Sequence, residues 1–190
     1  MPPLTIPPPV LPVRAHTYIS APREDIFDFI ADLANRPAWT DHFATQFRLD
    51  HPKSHGVGAS ARYRLEAPRY RQWVETDVVD AERPRALVEA TRAGRLGRTR
   101  GEILWELSRE GRDLTRVDLT IWSKPGTPRE AVMERLGARP WLRRRAKRAL
   151  ERLRTIFEEH PERPIARATV AAWEPLKAPR FGTGVREVSG

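Results

Sequence analysis

The sequence predicts an α+β domain in which a curved, seven-stranded antiparallel sheet closes on one long C-terminal helix. The first observation behind this prediction is the order of elements that the hydrophobic periodicity indicates. One strand is followed by a short helix, six strands and a long amphipathic stretch. Runs of strands followed by a helix favour an antiparallel sheet with the helix on one face. The second observation is that only one long apolar stripe is available to cover the sheet. A sheet bent around a single helix leaves a hollow, and apolar hollows are where small ligands bind.

The length of 190 residues predicts one domain with terminal extensions. We assign residues 1–12 to a proline-rich N-terminal arm, 13–160 to the ligand-binding domain, and 161–190 to a mostly disordered tail. The arm carries six prolines, which block helix formation and central-strand pairing, so we expect it to be extended. The tail has four prolines and no sustained hydrophobic period, which is typical of segments without a packed core.

The composition excludes several classes of site. The chain has no cysteine, which removes disulfides, thiolate nucleophiles and cysteine-ligated metals. No stretch approaches the roughly 18 apolar residues of a membrane span, and a cytoplasmic protein fits these features. The formal charge of +9, from 34 Lys and Arg against 25 Asp and Glu, favours anionic partners but selects none.

The first helix follows the first strand, which spans residues 14–20. Pro22 suits the first helical position, and Glu24 and Asp25 in the first turn complement the helix dipole. Apolar residues at helical spacing give the helix one buried face: Ile26, Phe27, Ile30 and Leu33. A further helical turn is expected to end near Trp39.

From Phe43 the hydrophobic period changes to 2, which indicates half-buried strands. The remaining strands are predicted over residues 43–50, 59–66, 70–80, 85–92, 102–109 and 114–123. Their inward positions include Phe47, Tyr63, Val74, Val78, Val88, Ala90, Ile103, Trp105, Leu107, Val117, Leu119 and Ile121. This phase places Glu75 and Glu89, which lie in the middle of their strands, in solvent.

The final helix has a strong start signal. Thr127-Pro128-Arg129-Glu130 forms a capping box with proline at the first helical position. Gly137 and Pro140 are expected to kink or break the helix. The apolar stripe then resumes at Leu142, and His160-Pro161 ends it.

Three stretches together resemble the START / Bet v 1-like superfamily, also known as SRPBCC or polyketide cyclase/dehydrase-like proteins. The most specific is ISAPREDIFDFIADLANRPAW. Its matching positions are Ile19, Ala21, Pro22, Ile26, Phe27, Asp32 and Trp39, the last of which closes the mouth of the pocket in the family pattern. The connection around Pro84 and the final hairpin, with Trp105, Leu107, Thr115 and Val117, are also similar.

The resemblance covers about residues 13–159 and implies a helix-grip fold around a cavity. It implies less about function, because the superfamily includes ligand carriers, cyclases, lipid-transfer proteins and coenzyme-Q-binding proteins. The expected kink at Pro140 and the proline-rich ends depart from the simplest pattern of the family.

The predicted ligand-binding residues occupy inward strand positions or the expected mouth of the pocket. They are Trp39, His42, Phe43, Phe47, Tyr63, Leu65, Trp105 and Leu107. Aromatic side chains suit flat apolar ligands. The alternative for the same residues is plain core packing.

No catalytic residue is assigned, and no cofactor or metal is expected. His16 shares the outward phase of its strand, and His42 could lie at the mouth as a general base. His51 and His55 fall in a loop with Pro52 and Gly56, which makes a metal site there a remote alternative.

Three functions therefore remain open. The first is a carrier or sensor of a lipid, isoprenoid or polyketide-like molecule, and the second is a polyketide cyclase or dehydratase-like enzyme. The third is weak contact with an anionic membrane through the basic face of the last helix, or with nucleic acid, although we expect no nucleic-acid partner. That basic face carries Arg143, Arg144, Arg145, Lys147 and Arg148. The oligomeric state and the pathway are left undetermined.

Overall fold

The computed structural model describes residues 11–68, 70–94, 97–126, 132, 137–159 and 166–170. Its strands are β1 Val13–Ile19, β2 Ala44–Leu49, β3 Ser60–Ala67, β4 Tyr70–Glu82, β5 Ala86–Ala93, β6 Thr99–Arg109, β7 Thr115–Lys124 and β8 Thr169–Val170. Its helices are α1 Arg23–Ala31, α2 Pro37–Thr40 and α3 Arg139–Glu158, with a short 3-10 turn at Leu33–Asn35.

The described strands form one sheet in the order β1-β7-β6-β5-β4-β3-β2-β8. Every neighbouring pair from β1 to β2 is antiparallel, which confirms the predicted seven-stranded curved sheet and its helix-grip architecture. The eighth strand lies in the segment that we expected to be mostly disordered, and it pairs in parallel with β2. The rest of the tail and the N-terminal arm up to residue 10 lie outside the described residues.

Helix α3 packs against β1 and α2 and supplies much of the core. Its buried stripe is formed by Trp141, Ala146, Ala149, Leu150 and Leu153. Pro140 lies in the first turn of α3, directly after the π-helical residues Gly137 and Ala138, and proline is well tolerated in a first turn. The predicted capping box at residues 127–130 lies outside the described residues.

Strand β2 contains a bulge that sets the direction of one aromatic side chain. The pairing register with β3 shifts between Thr45 and Arg48, and Gln46 has a φ of 52°, in the left-handed region that residues other than glycine seldom adopt. A bulge of this kind inserts an extra residue and turns the strand. Phe47, the next residue, is consequently buried and stacks on Tyr63.

Candidate functional site

A cavity of about 880 Å³ lies between the concave face of the sheet and the helices α2 and α3. Its walls come from residues of β2 to β7 and from one side of α3 as far as Ala149. The volume is within the range of about 300–1,000 Å³ that is typical of small-molecule sites. The bend of the sheet around one helix therefore leaves the hollow that the sequence predicts.

Six of the eight predicted ligand-binding residues line this cavity: Trp39, Phe43, Phe47, Tyr63, Leu65 and Trp105. Phe47 and Tyr63 stack with ring centroids 5.4 Å apart and planes inclined by only 7°. Phe43 meets Trp141 of α3 edge to face at 6.3 Å. The first contact joins β2 to β3, and the second joins the residue before β2 to the helix wall of the cavity.

The other two predicted residues do not line the cavity. Leu107 has the predicted inward phase, but it is buried in the core beyond the cavity. His42 is half-buried and contacts Arg152 of α3, whose Nη1 is 3.1 Å from His42 Nδ1. Burial lowers the pKa of His42, and the positive charges of Arg152, Arg148 and Arg145 lower it further.

Trp39 occupies a different place from the one that the family pattern suggests. Its side chain is fully buried, so it belongs to the closed part of the cavity and not to an exposed mouth. The exposed end of the cavity lies where β4 begins, β5 ends and β6 begins. Arg71, Trp73 and Arg100 are exposed there.

A buried carboxylate stands in the cavity wall, contrary to our prediction. Glu89 of β5 has no solvent exposure, so the expectation that it points to solvent is wrong, whereas Glu75 is exposed as expected. Glu89 pairs with Ile103 of β6, an inward-facing neighbour, and therefore shares its phase. In β5 the inward residues are Leu87 and Glu89, not Val88 and Ala90.

Glu89 accepts three hydrogen bonds from side chains of the wall. Arg36 Nη2 donates to Oε1 at 2.6 Å, and Trp105 Nε1 donates to the same oxygen at 2.8 Å. Thr76 Oγ1 donates to Oε2 at 2.9 Å. The carboxylate is thus neutralised by a guanidinium and has donors on both oxygens, as a buried charge requires.

Arg36 was not among the predicted site residues. It ends the 3-10 turn just before α2 and is only 6% exposed. Its guanidinium carbon lies 5.5 Å from the ring centroid of Trp39 and 5.2 Å from that of Trp105, distances that favour cation–π attraction. The cation is therefore held by one carboxylate and two indole rings.

Tyr63 places a hydroxyl near this ion pair. Burial raises the pKa of Tyr63, and the negative charge of Glu89 raises it further, while Arg36 opposes the rise. The phenol consequently stays protonated and able to donate a hydrogen bond. The site therefore combines apolar aromatic walls with one polar corner made of Arg36, Glu89 and Tyr63.

The other candidate residues do not join the cavity. His16 is exposed on β1, as expected, and His55 is exposed in the β2–β3 loop. Among the residues that the structure describes, no group of three or more His, Cys, Asp or Glu side chains could hold a metal ion. On α3, Arg143, Arg144, Lys147 and Arg148 are exposed, whereas Arg145 lies over the ring of Trp141.

A profile of the family described as polyketide cyclase / dehydrase and lipid transport matches residues 12–158, which span the cavity-forming domain. This chain belongs to that family. Among proteins of curated function, none matches the chain significantly.

Several solved structures share the fold of this chain. The protein TTHA0849 from Thermus thermophilus is 21% identical, with a TM-score of 0.60 over 79% of this chain and 99% of that one. A conserved protein from Geobacillus kaustophilus is 9% identical, with a TM-score of 0.62 over 78% and 96%. Ginseng major latex-like protein 151 from Panax ginseng is 10% identical, with a TM-score of 0.54 over 77% and 97%.

At these identities the likeness establishes the fold alone. The family and the cavity together indicate a ligand-binding domain of the SRPBCC type. In the described part of the chain, no helix is both long and apolar enough to cross a membrane.

Proposed function

We propose that this protein binds a hydrophobic small molecule, such as a lipid, an isoprenoid or a polyketide-like compound, inside its cavity and acts as a carrier or sensor in the cytoplasm. The observation that carries this proposal is the cavity of about 880 Å³ with its wall of aromatic and aliphatic side chains. Removing apolar surface from water on binding favours the complex by about 25 cal/mol per Å².

A cavity-filling variant tests the proposal. Ala93 lines the exposed end of the cavity, whereas Ala90 of the same strand faces the other side of the sheet. We expect Ala93→Trp to weaken the binding of Nile red, an uncharged apolar dye, by tenfold or more. Ala90→Trp should leave the dye affinity unchanged, and thermal unfolding checks that both variants fold. Equal dye affinity for Ala93→Trp and the parent would contradict the proposal.

The ligand itself can be sought directly. Native mass spectrometry of protein purified from its own host should show a bound mass that disappears after denaturation. The same measurement on Ala93→Trp should show less of that mass. Recovery of the ligand at equal occupancy in both proteins would place it outside the cavity.

A second candidate is a cyclase or dehydratase-like enzyme, and the observation in its favour is the convergence of Arg36, Glu89 and Tyr63 in the cavity wall. A general base needs an oxygen that can reach the substrate proton, but both oxygens of Glu89 already accept hydrogen bonds. This favours binding over catalysis. Incubation with a linear poly-β-ketone thioester tests the choice. A protein that only binds the compound leaves the product mixture the same as in buffer, whereas an enzyme changes it.

We also propose weak contact between the exposed basic residues of α3 and anionic membranes. Arg143, Arg144, Lys147 and Arg148 are exposed together, and each basic residue near such a surface contributes about 1 kcal/mol. Vesicles containing phosphatidylserine should sediment the protein at low salt and release it at high salt, because salt screens the attraction. Absent or salt-independent binding would end this proposal.

A further inference from the structure

The Tyr63 hydroxyl, near the Arg36–Glu89 pair, offers a hydrogen-bond donor to the cavity. Glu89, the acceptor, already has donors on both of its oxygens. The Tyr63 hydroxyl makes no hydrogen bond with the described residues. Arg36 Nε and Trp39 Nε1 also lack a partner among those residues, but both atoms are sealed from the cavity and leave the Tyr63 hydroxyl as the donor. A ligand acceptor that reached the Tyr63 hydroxyl would therefore gain a hydrogen bond that the protein alone does not make.

The charges of this corner already balance. The guanidinium of Arg36 lies 2.6 Å from the carboxylate of Glu89, and both side chains are at least nine-tenths buried. A ligand carboxylate here would meet the negative charge of Glu89, and a ligand ammonium would meet the positive charge of Arg36. Either ion would also lose its hydration without gaining a counter-charge of its own. An uncharged polar group avoids both costs.

The position of the Tyr63 hydroxyl is fixed by its surroundings. The phenol ring stacks on Phe47, and the bulge at Gln46 directs Phe47 into the cavity. A donor held in this way loses little rotational freedom when it binds an acceptor. The raised pKa of Tyr63, caused by burial and by the charge of Glu89, keeps the proton on the hydroxyl throughout the neutral range.

We infer that the cavity selects an apolar ligand that carries an uncharged hydrogen-bond acceptor, such as a ketone or quinone carbonyl, and that the Tyr63 hydroxyl donates to this acceptor. The inference rests on the proposed binding function and adds the chemical class of the ligand to it.

Four probes of nearly equal shape test the inference: 2-acetylanthracene, 2-isopropenylanthracene, anthracene-2-carboxylate and 2-(1-aminoethyl)anthracene. The first two differ in having a carbonyl oxygen or a methylene group at the same place. We expect the ketone to bind about 3- to 10-fold more tightly than the alkene, the range of one net hydrogen bond. The carboxylate and the amine should bind more weakly than the ketone at pH 7. Displacement of Nile red measures all four affinities.

The role of Tyr63 is tested with a matched pair of variants. Tyr63→Phe removes only the hydroxyl and should bring the ketone-to-alkene affinity ratio close to one, with the alkene affinity unchanged. Tyr18→Phe makes the same change at an exposed site on β1 and should leave the ratio as in the parent. If Tyr63→Phe does not fold, the comparison of ketone with alkene in the parent protein still decides the inference.

The outcomes separate this inference from the proposed function. If the ketone and the alkene bind equally, or the carboxylate binds most tightly, the acceptor inference is overturned while ligand binding stands. If Tyr63→Phe keeps the full preference for the ketone, the assignment of Tyr63 as the donor is overturned. If Nile red does not bind, both the inference and the proposed function fail. If the dye binds but none of the four probes displaces it, the acceptor inference alone is overturned.

Discussion

Replacing Glu89 by glutamine should strongly destabilise the protein. The substitution keeps the size of the side chain and an acceptor oxygen for Trp105, but it removes the negative charge that lies 2.6 Å from Arg36. Because both side chains are almost completely buried, water cannot compensate the guanidinium that is left behind. Breaking a buried ion pair in this way costs about 3–5 kcal/mol. We expect a loss of about 3 kcal/mol, at the lower end of that range, because the amide retains part of the hydrogen bonding.

Urea unfolding measures this loss directly, and thermal unfolding should show Tm falling by about 6–12 °C for a domain of this size. Glu75→Gln is the matched control, because Glu75 lies in the adjacent strand and is exposed. Its free energy of unfolding should change by less than about 0.5 kcal/mol. Combining Glu89→Leu with Arg36→Met removes both charges and should cost less than the sum of the single changes.

The result that would refute this reasoning is a loss of less than about 1 kcal/mol for Glu89→Gln, comparable with the change for Glu75→Gln. It would mean that Arg36 finds other compensation when the carboxylate is gone. Additive effects of the two single changes would likewise contradict a direct coupling between them.

Three further predictions concern other parts of the molecule. Gly101→Ala should destabilise the domain by about 1–3 kcal/mol in urea unfolding, because the added Cβ would come 2.7 Å from the carbonyl oxygen of Trp122; an unchanged unfolding midpoint would contradict this close packing. The lowered pKa of His42 means that the unfolded chain binds this proton more readily than the folded one, so the free energy of unfolding should fall as pH drops below about 6.5. His42→Gln should make the free energy of unfolding less dependent on pH in this range, and an unchanged pH dependence in the variant would count against the prediction. The pKa of Asp28 is lowered by its hydrogen bonds to Arg83, so Asp28→Asn should cost at most about 1 kcal/mol at neutral pH, an effect that should vanish as pH falls through the lowered pKa; a cost that persists in strong acid would argue against a charge effect.

The sheet and the aromatic wall could be predicted because alternation in a half-buried strand fixes which side chains face inward. Tyr63 stands between Arg62 and Arg64, and Trp105 shares its phase with Ile103 and Leu107, so the inward phase of both strands is the more apolar one. Leu107 shows the limit of this reasoning. Its phase is correct, yet the cavity ends before it because the sheet and the core close together there. The alternation of side chains along a strand shows which face of the sheet a residue lies on, but it does not show how far along the strand the cavity extends.

The polar corner could not be predicted from the sequence by the same reasoning. Strand β5 has apolar residues in both phases, Leu87 in one and Val88 in the other, so the sequence does not choose between them. The choice comes from pairing with β6, where Leu87 lies opposite Trp105 and Glu89 lies opposite Ile103. Arg36 gives no local signal either, because its partner is 53 positions away in the sequence.

The short strand β8 has a consequence for how this molecule meets others. An edge strand carries unpaired N–H and C=O groups that a neighbouring chain can join, which is a common route to aggregation. Here the chain passes beyond its last helix and returns to lie alongside β2, with Thr169 opposite Arg48 and Val170 opposite Leu49. Ala168 N donates to Ala34 O at 2.7 Å, and Arg167 pairs with Asp32. One backbone hydrogen bond and one ion pair therefore hold the residues just before β8 in place. The protein thus shields part of an open border of its own sheet with a segment that follows its long helix, and hydrogen bonds made there are withheld from any second copy.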